Sequence, residues 1–133
     1  MAARTALTPE IRALLTSRAL AHLATVLPDG SPHTVPVWVG LDGDRVLFLT
    51  GPTSRKARNI AADPRVALSL VDPANPAAMG QIRGRVVEVR DDEHAWQLID
   101  EISRSYIGAP YPLRTDRALY TVAPEHVFTW APG

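Results

Sequence analysis

The stretch AHLATVLPDGSPHTVPVWVGLDGDRVLFLT, residues 21–50, decides the fold. Apolar and polar residues alternate from Ala21 to Leu27, break at Pro28-Asp29-Gly30-Ser31, resume from Pro32 to Leu41, break again at Asp42-Gly43-Asp44, and resume from Arg45 to Thr50. Period-two alternation places successive side chains on opposite faces of a strand, and Asp-Gly is turn chemistry. Two hairpins within thirty residues predict an antiparallel meander.

The same punctuation extends in both directions. Upstream, Thr8 reads as an N-cap, Pro9 suits the first helical position, Glu10 the positive end of the dipole, and Ile11, Leu14 and Leu15 form an apolar stripe. Downstream, a short helix starts near Ser54 and ends at Asp63-Pro64, followed by a fourth strand from Arg65 to Val71 and a loop at Asp72–Pro76. A fifth strand runs from about Gly80 to Arg90, with Gly84 as a bulge or close-approach point. Asp91, Asp92 and Glu93 open a second long helix whose Ala95, Trp96, Ile99, Ile102 and Tyr106 recur at three- and four-residue steps. After a loop at 108–112, Ala118–Val122 and His126–Trp130 read as closing strands. Six or seven strands with short flanking helices predict a mainly β, antiparallel barrel-like domain spanning residues 1–133. Val35, Val37 and Val39 are apolar on one face while Trp38 is apolar on the other, so this strand needs cover on both sides. In a chain this small, a second copy is a natural cover, and a homodimer is expected.

Composition excludes several classes. A chain of 133 residues buries roughly 65–70% of its unfolded surface, enough for one core without staples. The absence of cysteine removes disulfide scaffolds and Cys-ligated metal sites. Fourteen basic residues against fourteen acidic ones, with no basic run, argue against a nucleic-acid binder. Met1–Thr5 leads into helix-like sequence with no apolar stretch suited to a signal peptide or membrane span, and a soluble cytoplasmic protein is expected. His22, His33, His94 and His126 stand at no ligand spacing, so no metal site is expected. No Gly-x-Ser-x-Gly elbow and no Gly-x-Gly-x-x-Gly loop is present, and no catalytic constellation emerges. Tyr106, Tyr111 and Trp130 read as core or pocket wall.

Thr50-Gly51-Pro52-Thr53-Ser54-Arg55-Lys56-Ala57-Arg58-Asn59 is the most informative segment for function. A strand delivers two hydroxyl residues to the start of a helix, whose free N–H groups and positive dipole end attract anions. Arg55, Lys56 and Arg58 add three cations, and the positions four residues on, Asn59, Ile60 and Ala62, supply no acid. From Arg45 to Arg65 five cations face Asp63 alone, and Lys56 is the sole lysine of the chain. These residues suit a phosphate site, or else an ordinary exposed helix. Pro36 interrupts a strand ladder beside Trp38, which reads either as an edge-strand proline with a core tryptophan or as the floor for a flat heteroaromatic ligand.

Leu23-Ala24-Thr25-Val26, Pro28-Asp29-Gly30-Ser31-Pro32-His33, Pro36-Val37-Trp38, Asp42-Gly43-Asp44-Arg45-Val46, Lys56-Ala57-Arg58-Asn59-Ile60, Asp63-Pro64-Arg65-Val66, Gly84-Arg85-Val86 and Tyr106-Ile107-Gly108 occur in this order. The series resembles the split β-barrel flavin and deazaflavin oxidoreductases, the pyridoxamine 5′-phosphate oxidase-like superfamily, and within it the short actinobacterial branch that uses coenzyme F420. The resemblance covers Leu7 to Trp130. It implies an antiparallel split β-barrel, a homodimer with cofactor in grooves at the subunit interface, and hydride transfer between a deazaflavin and a small unsaturated or aromatic substrate. It implies that Thr50, Ser54, Arg55 and Lys56 take the cofactor phosphate, with Arg58 or Asn59 in support. Pro36, Val37 and Trp38 would then lie along the tricyclic ring, with Gln81 and Arg83 contributed by the partner. No catalytic side chain is implied. Flavin mononucleotide (FMN) in oxidase or flavin-reductase chemistry, and a non-catalytic carrier of a cofactor or tetrapyrrole, are the alternatives. Asp72–Met79 and Gly108–Arg114 are expected to form loops over the substrate pocket. The sequence ends at Pro132-Gly133 just after its last strand, and the activity of true pyridoxamine-phosphate oxidases, which carry further arginine-bearing C-terminal segments, is not expected.

Overall fold

Each element begins where the sequence supplies a cap or a turn. The computed structural model describes residues 6–130; the reading of Met1–Thr5 and the domain limits at residues 1 and 133 lie outside the described residues. Helix α1 (Pro9–Leu15) is capped by the Thr8 hydroxyl, which accepts from Ile11 N at 3.2 Å. Strands β1 (Ala21–Val26), β2 (Pro32–Val37), β3 (Val39–Asp42) and β4 (Arg45–Thr50) follow. Then come α2 (Arg55–Ala62), β5 (Arg65–Asp72), β6 (Asn75–Arg90), α3 (Glu93–Ile107) and β7 (Ala118–Trp130).

The seven strands form one antiparallel sheet in the order β2-β1-β5-β6-β7-β4-β3. Its two edge strands, β2 and β3, are consecutive in the chain with only Trp38 between them. Adjacent Cα atoms lie about 3.8 Å apart, so both edges must come together at that residue. The sheet therefore curls into a barrel that is split at Trp38. Inside lie Leu23, Leu68, Leu70, Ile82, Val46, Phe48 and Val122, with α1 inserting Ile11, Leu14 and Leu15. On the outer side of β4 and β7, Leu47 and Leu119 carry α3 through Ala95, Ile99 and Ile102.

The structure corrects five expectations, four of them about strands. Pro32–Leu41 is not one strand: Ala21↔Val37 ends its pairing with β1 and Val39↔Phe48 begins pairing with β4, at opposite ends of the sheet, so no ladder can run through Trp38. The two hairpins exist, but they lie at the two edges and not side by side as a meander. The closing strands are one strand, β7, kept continuous by a bulge: Arg83 pairs with His126 and Gly84 with Pro124, which leaves Glu125 as the extra residue and puts the missing proline N–H where pairing is already broken. Strand β6 starts at Asn75, so residues 75–79 belong to the β5–β6 hairpin and not to a loop. Gly84 is the close-approach point expected: a Cβ there would stand 2.1 Å from the Ala123 carbonyl oxygen.

Away from α3, the outer face of the sheet has no cover within the protomer. Register places Pro36, His22, Ser69, Gln81 and Phe128 in one row across five strands. Val71, Met79 and Trp130 form the next row, and Ala67, Arg83 and His126 the row on the other side. Phe128 is 60% exposed, Trp130 46% and Val71 44%. Trp130 thus stands on this open face, in neither core nor pocket wall.

Candidate functional site

Where the split edges meet, a cleft of about 580 Å³ opens, within the usual range of small-molecule sites. One wall is Leu20 with Pro36, Val37 and Trp38 of the β2–β3 junction. A second is Leu49 and Thr50 of β4 with Gly51, Thr53, Ser54 and Lys56 at the start of α2. Tyr111 and Arg117, from the segment between α3 and β7, form the third.

The α2 entrance is built by local hydroxyl chemistry. Ser54 caps the helix, its Oγ accepting from Ala57 N at 3.2 Å and sharing a 3.1 Å hydrogen bond with Thr50 Oγ1. Two hydroxyls are thereby fixed beside the first turn, whose leading N–H groups have no acceptor inside the helix. Lys56 follows. Burial, and secondarily the nearby Arg117 guanidinium, push its pKa below the ordinary lysine value. No carboxylate among the described residues pairs with it; the nearest candidate in sequence, Asp63, is held by Arg65 at 2.6 Å.

Trp38 is held from two sides. Tyr106 stacks on it with ring centroids 5.2 Å apart and planes at 8°, and Tyr111 meets it edge-on at 6.1 Å. Tyr106 is itself pinned: its hydroxyl donates to Ala19 O at 2.6 Å and accepts from Val39 N at 3.1 Å, the N–H that the strand break leaves free of the ladder. Burial raises the pKa of that phenol, which keeps it protonated as the donor. Tyr111 is carried by a strap, residues 108–117, tied to α3. Its N–H donates to Asp100 Oδ1 at 3.0 Å, Arg114 donates to both Asp100 oxygens, and Ser103 Oγ donates to Ala109 O at 2.7 Å. Arg114 also lies 4.6 Å over the Trp96 ring.

Six of the eleven residues expected at a site thus converge on one cleft: Pro36, Val37, Trp38, Thr50, Ser54 and Lys56. The other five stand elsewhere. Asn59 is only 1% exposed, its amide donating to Thr25 Oγ1 at 3.0 Å, so it ties α2 to β1. Arg55 reaches back to Asn59 Oδ1 at 3.4 Å, and Arg58 is exposed without an ion pair among the described residues. Gln81 and Arg83 are exposed in the middle of the uncovered sheet face. Arg117 was not expected at the cleft, because only the Thr50↔Ala118 pairing brings residue 117 to the α2 entrance. Among the described residues no group of three or more His, Asp or Glu side chains could hold a metal ion, and no helix is long and apolar enough to cross a membrane.

A split antiparallel barrel with a cleft where its edges meet is the architecture of the pyridoxamine 5′-phosphate oxidase-like split barrels. The sequence matches the family model for pyridoxamine 5′-phosphate oxidase over residues 7–131, and the chain belongs to that family. Among solved structures it is similar to an F420 reductase at 32% identity, with a TM-score of 0.78 over 88% of this chain and 94% of the other. A conserved hypothetical protein of Mycobacterium tuberculosis shares the fold at 22% identity and TM-score 0.76, over 97% and 88% of the two chains. The HupZ protein of Group A Streptococcus shares it at 19% and 0.71, over 96% of each. No curated protein matches. The family and the 32% likeness support an oxidoreductase of flavin or deazaflavin type.

Proposed function

We propose that the chain is an F420H2-dependent oxidoreductase acting on a small unsaturated or aromatic substrate, and that it works as a homodimer. The observation that carries this reading is the juxtaposition, in one cleft, of an unpaired Lys56 at a helix start with the Trp38 wall. Lys56, the Thr50 and Ser54 hydroxyls and the first-turn N–H groups hold the cofactor phosphate. Pro36, Val37 and Trp38 lie along the ring, with the Trp38 plane fixed by Tyr106 and Tyr111. Bound and reduced, the deazaflavin supplies the hydride, so no side chain of the chain has to act as acid or base. The choice of F420 over FMN is supported by the 32% identical F420 reductase and by exposed Arg55 and Arg58 beside Lys56, which suit a carboxylate-bearing tail.

The homodimer is supported by the row that runs from Pro36 at the cleft through His22, Ser69 and Gln81 to Phe128. A second copy seated on this open face stands at the mouth of the cleft, which is where Gln81 and Arg83 of the partner would reach the cofactor. Titration with F420 and with FMN, followed by indole fluorescence with Trp38→Phe as control, tests the cofactor. Oxidation of F420H2 is then followed over a panel of acceptors. The expected result is preference for F420 and turnover with at least one acceptor. Preference for FMN assigns the flavin alternative, and tight binding without turnover assigns a carrier.

A further inference from the structure

Five of the twelve arginines among the described residues pair with carboxylates: Arg12 with Asp44, Arg65 with Asp63, Arg85 with Glu125, Arg90 with Glu88 and Arg114 with Asp100. The cleft holds two cations that do not. Arg117 enters it opposite Lys56, and among the described residues no carboxylate pairs with either. Its Nη1 donates to the Asp116 carbonyl at 2.7 Å and its Nε to the Tyr111 hydroxyl at 3.2 Å. The seat is made by a glycine: a Cβ on Gly51 would stand 3.2 Å from Arg117 Nη1 and 3.1 Å from the Asp116 oxygen. Two like charges delivered to one cleft by elements some sixty residues apart repel each other and lower the stability of the unliganded protein. A ligand end with one negative charge leaves one of these cations uncompensated, whereas two negative charges match both.

We propose that Arg117 is a specificity-determining residue: with Lys56 it forms a receptor for a ligand end bearing two negative charges, and its bond to Tyr111 ties that recognition to the aromatic wall. The shared chemistry is a phosphate monoester, or a phosphodiester with an adjoining carboxylate. This inference rests on the cleft being the cofactor site.

Calorimetric titration uses two matched pairs, FMN with riboflavin and F420 with its phosphate-free deazaflavin chromophore, against wild type, Arg117→Gln, Arg117→Lys and Gly51→Ala. In wild type, the charged member of at least one pair binds tighter than its uncharged counterpart, and the pair that shows this separates monoester from diester. In Arg117→Gln that advantage falls about tenfold or more, the scale of a charge-assisted hydrogen bond, while the uncharged member binds within about twofold of wild type. Arg117→Lys retains most of the advantage, and Gly51→Ala, which crowds the guanidinium by a few tenths of an ångström, lowers it. An unchanged advantage in an Arg117→Gln protein with the wild-type melting midpoint overturns the proposal and leaves Lys56 as the sole anion contact. Equal weakening of both members also overturns it, by making Arg117 a prop for Tyr111. If wild type shows no advantage in either pair, the cofactor reading of the cleft fails first.

Discussion

Lys56 is costly to the folded chain without a ligand and useful with one. Its pKa is depressed by burial and by Arg117, so folding disfavours the charged form. The penalty is present below the depressed pKa and disappears above the ordinary lysine value. Replacing Lys56 by Met therefore raises the melting midpoint of the unliganded protein at neutral pH while reducing ligand-induced stabilisation, a pattern read by paired thermal melts with and without F420. Lys56→Ala weakens cofactor binding by about 1.5–3 kcal/mol with the fold intact, as titration with circular dichroism as control will show. Because an anion is held by the protonated amine, affinity falls as pH rises through the depressed pKa. Affinity that stays flat into the alkaline range would return Lys56 to the solvated surface. Gly84 makes a different argument at this scale. Its Cα faces the Ala123 and Pro124 backbone, which cannot swing aside, so Gly84→Ala destabilises by about 1–3 kcal/mol, at the upper end of that range, in a denaturant titration.

At the scale of elements, what was legible in the sequence is what is local. The Thr8 and Ser54 caps, the turns at Gly30 and Gly43 and the cationic start of α2 lie within a few residues of their causes. The break at Trp38 was hidden because Val35, Val37 and Val39 keep their alternation straight through it. The pairing of β1 with β5 and of β4 with β7 depends on contacts across long stretches of chain, which no local pattern encodes, and with them went Arg117. The strap at 108–117 opens in sequence as a Gly-Ala-Pro-Tyr-Pro loop, yet it is anchored to α3 by the Asp100 carboxylate and the Ser103 hydroxyl. Asp100 accepts from the Tyr111 N–H and from Arg114, and the Arg114 bonds hold its pKa below the usual carboxylate value. A depressed carboxyl contributes stability above its unfolded pKa and loses it as pH falls through the folded value. Asp100→Ala costs about 1–2 kcal/mol, because Arg114 is half exposed and its share is screened, while the Tyr111 N–H loses its acceptor. The informative readout is binding: Tyr111 is freed from the edge of Trp38, so ring affinity drops and the indole emission of the free protein shifts. A variant that melts earlier but binds as wild type would make the strap a purely structural tie.

For the whole molecule, the question is what the open sheet face is for. Its rows mix exposed Val71, Phe128 and Trp130 with Gln81, Arg83 and His126, and the Phe128 and Trp130 rings lie 5.1 Å apart. An aromatic pair ringed by polar residues is the pattern of an interface centre and rim, and a two-fold dimer brings the same patch of both copies together. The proposed homodimer follows from this face and not from the cleft, so the two can be separated. Phe128→Arg places a charge in the centre of the contact and should convert a dimer into a monomer in sedimentation equilibrium, with the circular dichroism spectrum unchanged because the side chain is 60% exposed in the protomer. If Gln81 and Arg83 serve the partner's cleft, the monomeric variant also loses cofactor affinity, although Phe128 lines no part of the cleft itself. A wild-type chain that sediments as a monomer sinks the dimer. A Phe128→Arg monomer that binds cofactor as wild type keeps the dimer and removes Gln81 and Arg83 from the site.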